Sequence, residues 1–210
     1  MSEIKLDERL MTAAELVRLD GRIADIGTDH ALLPCYLRKK GARDVIAADV
    51  NPNPLKTARA TLERFGEDIP LILSDGLRGI DYADDVIIAG MGGELIARIV
   101  TECHFLDRNP HFILQPMTKA EILRRELYKN GFEIIEERTA RAAGKIYTVM
   151  LVRYCGVKEE INEKFAYCGK NSDEAYLQKQ VATLRKKAKG NLAYEMIAQE
   201  IENGYCKRDL

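Results

Sequence analysis

Apolar positions along the chain follow two rhythms. Leu6, Leu10, Ala13, Ala14 and Val17 recur at helical spacing and predict a helix over residues 6–19. From residue 22, short apolar runs alternate with helical stretches. RIADIG (22–27), DVIAAD (44–49), IPLILSD (69–75), DVIIAG (85–90) and HFILQP (111–116) read as strands. The segments near 31–40, 53–65, 92–103 and 118–130 read as the helices between them. These strands lack apolar–polar alternation, so both faces should be buried. That requires a parallel sheet with helices on both sides. Residues 133–154, EIIEERTARAAGKIYTVMLVRY, break the rhythm and read as two longer strands joined near Ala143-Gly144. After Gly156, Leu177, Val181, Leu184 and Ala188 show a 4-3-4 spacing over residues 173–189. Leu192, Met196, Ile197 and Ile201 mark a second run over 191–203, with Lys189-Gly190-Asn191 as the turn between. The chain therefore divides into an α/β unit over residues 1–156 and a helical hairpin over 157–210 that packs on itself like a coiled coil.

Composition narrows this picture. With 210 residues, 46% of them hydrophobic and 31% charged, the chain can bury a substantial core. A net charge of −1 argues against coating by nucleic acid but permits local basic patches. Cys35, Cys103, Cys155, Cys168 and Cys206 are odd in number and form no C-x-x-C pair. With no signal peptide expected, they read as reduced thiols of a cytoplasmic protein. No apolar run reaches membrane-spanning length. The three histidines are scattered, so no metal site is expected. DNA is not an expected partner, and a monomer is favoured, although the hairpin could equally be a packing appendage or a dimer surface.

The candidate chemistry sits at the strand ends. A parallel sheet finished by an antiparallel hairpin is the Rossmann-like architecture of class I methyltransferases. Where a dinucleotide loop shows G-x-G-x-x-G, this chain has Gly27, Thr28, Asp29, His30, Ala31. A helix N-terminus favours anions, yet Asp25 and Asp29 would repel a pyrophosphate. S-adenosylmethionine carries a sulfonium, an ammonium and a carboxylate. Acids beside the turn suit its cations and free N–H groups its carboxylate. The alternatives are that Asp25 holds the loop through backbone hydrogen bonds and that His30 caps the helix. Asp49 stands about 20 residues past the turn, where an acid reaches ribose hydroxyls. Asp75, in Ser74-Asp75-Gly76, could accept from an adenine amino group. Gly90-Met91-Gly92-Gly93 lets backbone approach a ligand closely, and Gln115-Pro116-Met117 could line the same cleft.

Together DIGTDHALLP, SDGL (74–77), AGMGG (89–93), LQPM (114–117) and the helical tail resemble the bacterial tRNA (adenine-22-N1)-methyltransferase family over nearly the whole chain. Thr28 replaces the family's usual serine and Leu32 its aromatic residue. The resemblance implies methyl transfer from S-adenosyl-L-methionine to N1 of an adenine in the D-arm region of tRNA. Asp25, Gly27, Thr28, Asp29 and His30 would form the amino-acid end of the cofactor pocket. Asp49, Val50 and Asn51 would hold the ribose, and Asp75 and Gly76 would meet the adenine. Gly90, Met91 and Gly92 would border the methyl and the target base, with Asp29 stabilising the charge that develops on that base.

For RNA, Lys179, Arg185, Lys186, Lys187 and Lys189 lie in a stretch of the tail without acids. Arg124, Arg125 and Lys129 form a second cluster, read as a solvated helix face. Three rival readings remain: a methyltransferase for a small molecule or protein with the hairpin as a lid, a nicotinamide-binding Rossmann protein, and a non-catalytic RNA-binding module. The glycine pattern disfavours the nicotinamide reading.

Overall fold

The computed structural model describes residues 4–206. A seven-stranded sheet forms its centre. The strands are β1 (Arg22–Ile26), β2 (Asp44–Asp49), β3 (Leu71–Leu73), β4 (Asp85–Gly92), β5 (His111–Thr118), β6 (Phe132–Ala142) and β7 (Lys145–Tyr154). Their spatial order is β3-β2-β1-β4-β5-β7-β6. The first five run parallel, and β7 pairs antiparallel with β5 and β6. The strand order reverses between β1 and β4, so the β1 and β2 exits and the β4 exit diverge around a crevice where open α/β sheets bind ligands.

Helices α1 (Glu8–Glu15), α2 (Leu32–Lys39), α3 (Pro52–Phe65), α4 (Gly93–Thr101) and α5 (Ala120–Lys129) flank the sheet. One apolar cluster on each face joins sheet to helices. Ile88, Ile96, Phe112 and Leu127 pack on one side, and Ile23, Leu37, Ile87 and Ile113 on the other. Adjacent β4 residues Ile87 and Ile88 thus serve opposite faces, which is why the strands show no polar alternation.

The expected boundaries shift in three places, each for a local reason. The first helix is shorter: Asp7 caps it by accepting from Leu10 N at 3.1 Å, and it ends at Leu16. β3 is reduced to three residues because it is an edge strand, paired only with β2. β4 continues through Gly92 with register shifts after Ala89 and Met91, so most of the expected glycine loop is irregular strand.

The tail contains α6 (Glu163–Cys168), α7 (Glu174–Ala188) and α8 (Leu192–Cys206). The short α6 was not anticipated; Asn162 caps it by accepting from Phe165 N at 2.8 Å. Helices α7 and α8 pack on each other as the spacing predicts, through Leu177, Val181, Leu184, Ala198 and Ile201. Ile146 of β7 packs against the same cluster.

Arg124 corrects the sequence reading outright. Its side chain is 0% exposed and forms a buried ion pair with Glu137, Nε to Oε1 at 2.8 Å. Its remaining nitrogens donate to Ala166 O at 2.7 Å, Tyr167 O at 3.0 Å and the Tyr176 hydroxyl at 2.9 Å. The other Glu137 oxygen accepts from Lys170 N and from Asn171 Nδ2 at 3.0 Å. Burial opposes the guanidinium charge, but Tyr176 and Glu137 together outweigh it and raise its pKa. Arg124 is therefore the bolt between α5, β6 and the tail. Its neighbour Arg125 pairs with Glu163 at 2.7 Å.

Candidate active site

A cleft of about 500 Å³ opens at the C-terminal ends of β1, β2 and β4. It gathers residues 25–30, 49–51, 74–76 and 89–91 along one edge of the sheet. Every cofactor residue anticipated from the sequence lines it. Gly92 lies just outside that lining, at the end of β4.

The first turn is tightly wound. Gly27 adopts φ +76°, and Gly27 N and Thr28 N both donate to Ala48 O, at 2.8 and 3.0 Å. Asp29 and Ala31 also take positive φ, 50° and 52°. Two non-glycine residues in this region cost energy, and such strain concentrates at functional sites. Ala31, with no side-chain hydrogen bond, holds the N-cap position of α2, so His30 does not cap that helix. Instead His30 and Asp29 project from the turn, exposed, with His30 Nε2 3.5 Å from Asp29 Oδ2.

The acids divide by environment. Asp25 is buried, and burial pushes its carboxyl up to about 6, against the Thr28 hydroxyl beside it and with the Asp49 charge adding to the rise. Thr28 Oγ1 is itself buried without a hydrogen bond of good geometry. Among the described residues no backbone N–H donates to the Asp25 carboxylate, and Asp25 lines the cleft. Asp49 does brace: it accepts from Asn51 N at 2.9 Å and Asp29 N at 3.4 Å. Two acceptances leave a carboxylate with lone pairs for a ligand. Asp75 is held by Arg98 at 2.8 Å, with Arg78 at 3.4 Å, and the Arg98 hydrogen bond lowers its pKa.

The β4 exit is built by close approach. The methyl of Met91 lies 2.1 Å from where a side chain on Gly27 would begin. A side chain on Gly93 would meet the Lys119 carbonyl oxygen at 2.3 Å. Gly90, at φ +81°, donates its N–H to Gln115 Oε1 at 3.1 Å. Gln115 is fully buried; the same oxygen accepts from Arg9 Nη1 at 3.1 Å, while its Nε2 donates to Pro116 O at 3.0 Å.

Arg9, Leu95 and Arg98 also line the cleft and escaped the sequence reading. Arg9 comes from α1, remote from any strand end, and Leu95 and Arg98 from α4. For Leu95 and Arg98 the available signal was that α4 follows directly on the β4 exit; Arg9 carried none.

The cleft offers carboxylates, a few backbone donors and apolar flanks at Val50 and Leu95, both exposed. No cluster of three or more metal-ligating side chains occurs among the described residues. This donor set fits a cationic ligand with a flat apolar moiety, which describes S-adenosylmethionine.

Residues 6–150 match the family model described as a methyltransferase domain. The chain belongs to that methyltransferase family. It is 38% identical over 157 residues to the Bacillus subtilis tRNA (adenine(22)-N(1))-methyltransferase, an alignment that spans 72% of this chain and 66% of that protein. The crystal structure of the B. subtilis M1A22 tRNA methyltransferase TrmK superposes with a TM-score of 0.76 at 27% identity, covering 97% of both chains. M. capricolum TrmK in complex with S-adenosyl-homocysteine gives 0.77 at 27% identity, covering 94% of this chain and 95% of that one. The Rossmann-like methyltransferase fold expected from the sequence is thus the one observed, matched with its tail across nearly the whole of these two solved structures.

Proposed function

We propose that this methyltransferase transfers a methyl group from S-adenosyl-L-methionine to N1 of adenine 22 of tRNA. The observation that carries the reading is the cleft that buries Asp25 beside Asp49 at the strand crossover. An ionised carboxylate kept from water there is costly unless a cation joins it. The B. subtilis and M. capricolum relatives supply the substrate and cofactor class.

Asp25, Gly27, Thr28, Asp29 and His30 would hold the amino-acid end of the cofactor. Asp49, Val50 and Asn51 would hold its ribose, and Asp75 and Gly76 its adenine. Gly90, Met91 and Gly92 would border the transferred group and the target base. When bound, the cofactor supplies a methyl on a positively charged sulfur. Adenine N1 carries an in-plane lone pair, so no residue need remove a proton before attack. The chain's contribution is placement, which can be worth about 7–11 kcal/mol. Gln115 fixes Gly90, and Met91 lies over Gly27, so the two loops present one rigid surface. Asp29, exposed at the rim, would stabilise the positive charge that develops on the base. N1 lies on the pairing edge, so the adenine must be unpaired or flipped to reach the cleft.

On the tail, Arg185 is engaged by Glu202 at 2.7 Å and Glu195 at 3.4 Å, and Lys187 by Glu121 at 3.2 Å. Lys179, Lys186 and Lys189 have no carboxylate partner among the described residues and are the stronger candidates for RNA phosphates. No helix among the described residues is long and apolar enough to cross a membrane.

Incubation with labelled cofactor and unmodified tRNA, followed by mapping, tests the reading. N1-methyladenosine in the D-arm is expected, and lost in Asp29→Ala without unfolding. Absence of any methylated nucleotide from the wild-type reaction would refute the function. Full transfer by Asp29→Ala would remove only that residue from the mechanism.

A further inference from the structure

A second cleft, of about 480 Å³, lies between the β5–α5 junction, β7 and α7. Its volume is in the range of ligand sites, roughly 300–1,000 Å³. Arg9 links it to the active site. Arg9 lines the first cleft, and its guanidinium contacts Met117 Sδ at 2.9 Å and lies 5.5 Å from the Tyr147 ring centre, both on the lining of the second. Met91 and Pro116, one from each cleft, are paired across β4 and β5.

The lining is cationic: Lys119, Lys179 and Lys187 face a single carboxylate, Glu121. Lys119 is engaged by Glu94 and Lys187 by Glu121. Lys179 differs. Its ammonium donates to the Ile146 carbonyl at 2.5 Å and lies 5.4 Å from the Tyr147 ring centre, with no carboxylate partner among the described residues. Local burial and the nearby Lys145 charge lower its pKa, so the ammonium is held in a field it does not favour. An arriving anion relieves that condition. Met117 adds an exposed apolar surface beside Arg9.

We propose that this cleft takes the nucleotide adjoining the methylated adenine, its base against Met117 and its phosphate on Lys179. The proposal rests on the tRNA reading above and deepens it. A base drawn out of a helix brings its neighbours with it. The cleft captures one of them and so holds the target strand in register with the cofactor. The tail thereby contributes through a groove it forms with the sheet, not only through the outer faces of its helices.

The test uses the full-length enzyme, unmodified tRNA transcript and S-adenosylmethionine. Lys179→Ala should raise the KM for tRNA about fivefold and reduce the salt dependence of tRNA binding by about 0.7 in slope, the value for one phosphate of a single strand. Its affinity for S-adenosylmethionine should be unchanged. Thr183→Glu, which adds a carboxylate to the cleft one helical turn from Lys179, should weaken tRNA binding further at the same cofactor affinity. Transcripts abasic on either side of the target adenine locate the base. One of the two should bind more weakly to wild type yet no more weakly to Met117→Ala than the intact transcript does. A wild type that methylates tRNA beside a Lys179→Ala variant with unaltered KM and salt slope would overturn the cleft proposal alone. Independent, additive effects of Met117→Ala with both abasic transcripts would overturn the placement of the base. A wild type that methylates no tRNA would overturn the function and the cleft together.

Discussion

Replacing Asp25 with asparagine should have opposite effects on stability and on binding. The carboxyl titrates near 6 in the folded protein instead of 3.8, chiefly because it is buried. Below pH 3.8 it is protonated in both the folded and unfolded chain and makes no difference. Between 3.8 and 6 the unfolded chain gives up the proton first, so the folded state binds more protons and loses stability as pH rises. Two units at 1.36 kcal/mol each amount to about 3 kcal/mol, fully lost above pH 6. Asp25→Asn removes that cost. At pH 7 the ligand-free variant should be more stable by up to about 3 kcal/mol, a rise in Tm of roughly 6–12 °C for a chain of this size. The same change should weaken S-adenosylmethionine binding, since the anion that destabilises the empty cleft is what attracts the cation. In wild type, about one tenth of Asp25 is ionised at pH 5 and about nine tenths at pH 7, so affinity should improve about tenfold across that interval. Calorimetry from pH 5 to 7 on wild type and Asp25→Asn, in parallel with denaturant unfolding, measures both. His30 lines the same cleft, so the series is repeated on His30→Gln to separate the imidazole. Equal affinity of wild type and Asp25→Asn at every pH would refute the electrostatic account. A stability difference that does not change between pH 4 and 6 would refute the burial account.

Three further outcomes follow from geometry. Arg124→Met strands Glu137 in a dry site and should cost about 3–5 kcal/mol, with Glu137→Gln recovering part of it in the double variant, as read from urea midpoints. Gly93→Ala drives a methyl toward the Lys119 carbonyl and should cost about 1–3 kcal/mol because only backbone can yield, checked by thermal unfolding. Gln115→Leu leaves Gly90 N–H and Arg9 without their shared acceptor. It should lower kcat for methyl transfer with little change in cofactor affinity, and an unchanged kcat would show that Gly90 needs no such anchor.

Much of the sheet was legible because strand residues buried on both faces leave an unbroken apolar signature, as DVIAAD does for β2. The acids at the ends of β1, β2 and β3 were legible for a related reason: a strand end fixes where the next side chain points. Arg124 was misread because a helix carries no mark of what will later cover it. Its partner Glu137 lies 13 residues on, in β6, and its other acceptors belong to α6 and α7. Arg9 was missed for a similar reason, since Gln115 is 106 residues away. The one-sided charge of the tail likewise gave no sign that Arg185 and Lys187 find acids on α8 and α5. Local pattern reports the backbone well. Pairings between distant segments form only once the topology has brought them together.

The sealed Arg124–Glu137 pair also bears on how such a chain can change over generations. Removing the tail piecemeal strips carbonyl and hydroxyl acceptors from a guanidinium that relies on them. Neutralising either charge alone leaves the other naked. Each single step on the way to a shorter protein is therefore unfavourable, whatever the tail does for its substrate. The ion pair thus acts as a ratchet: shortening the chain costs least when both charges are exchanged together.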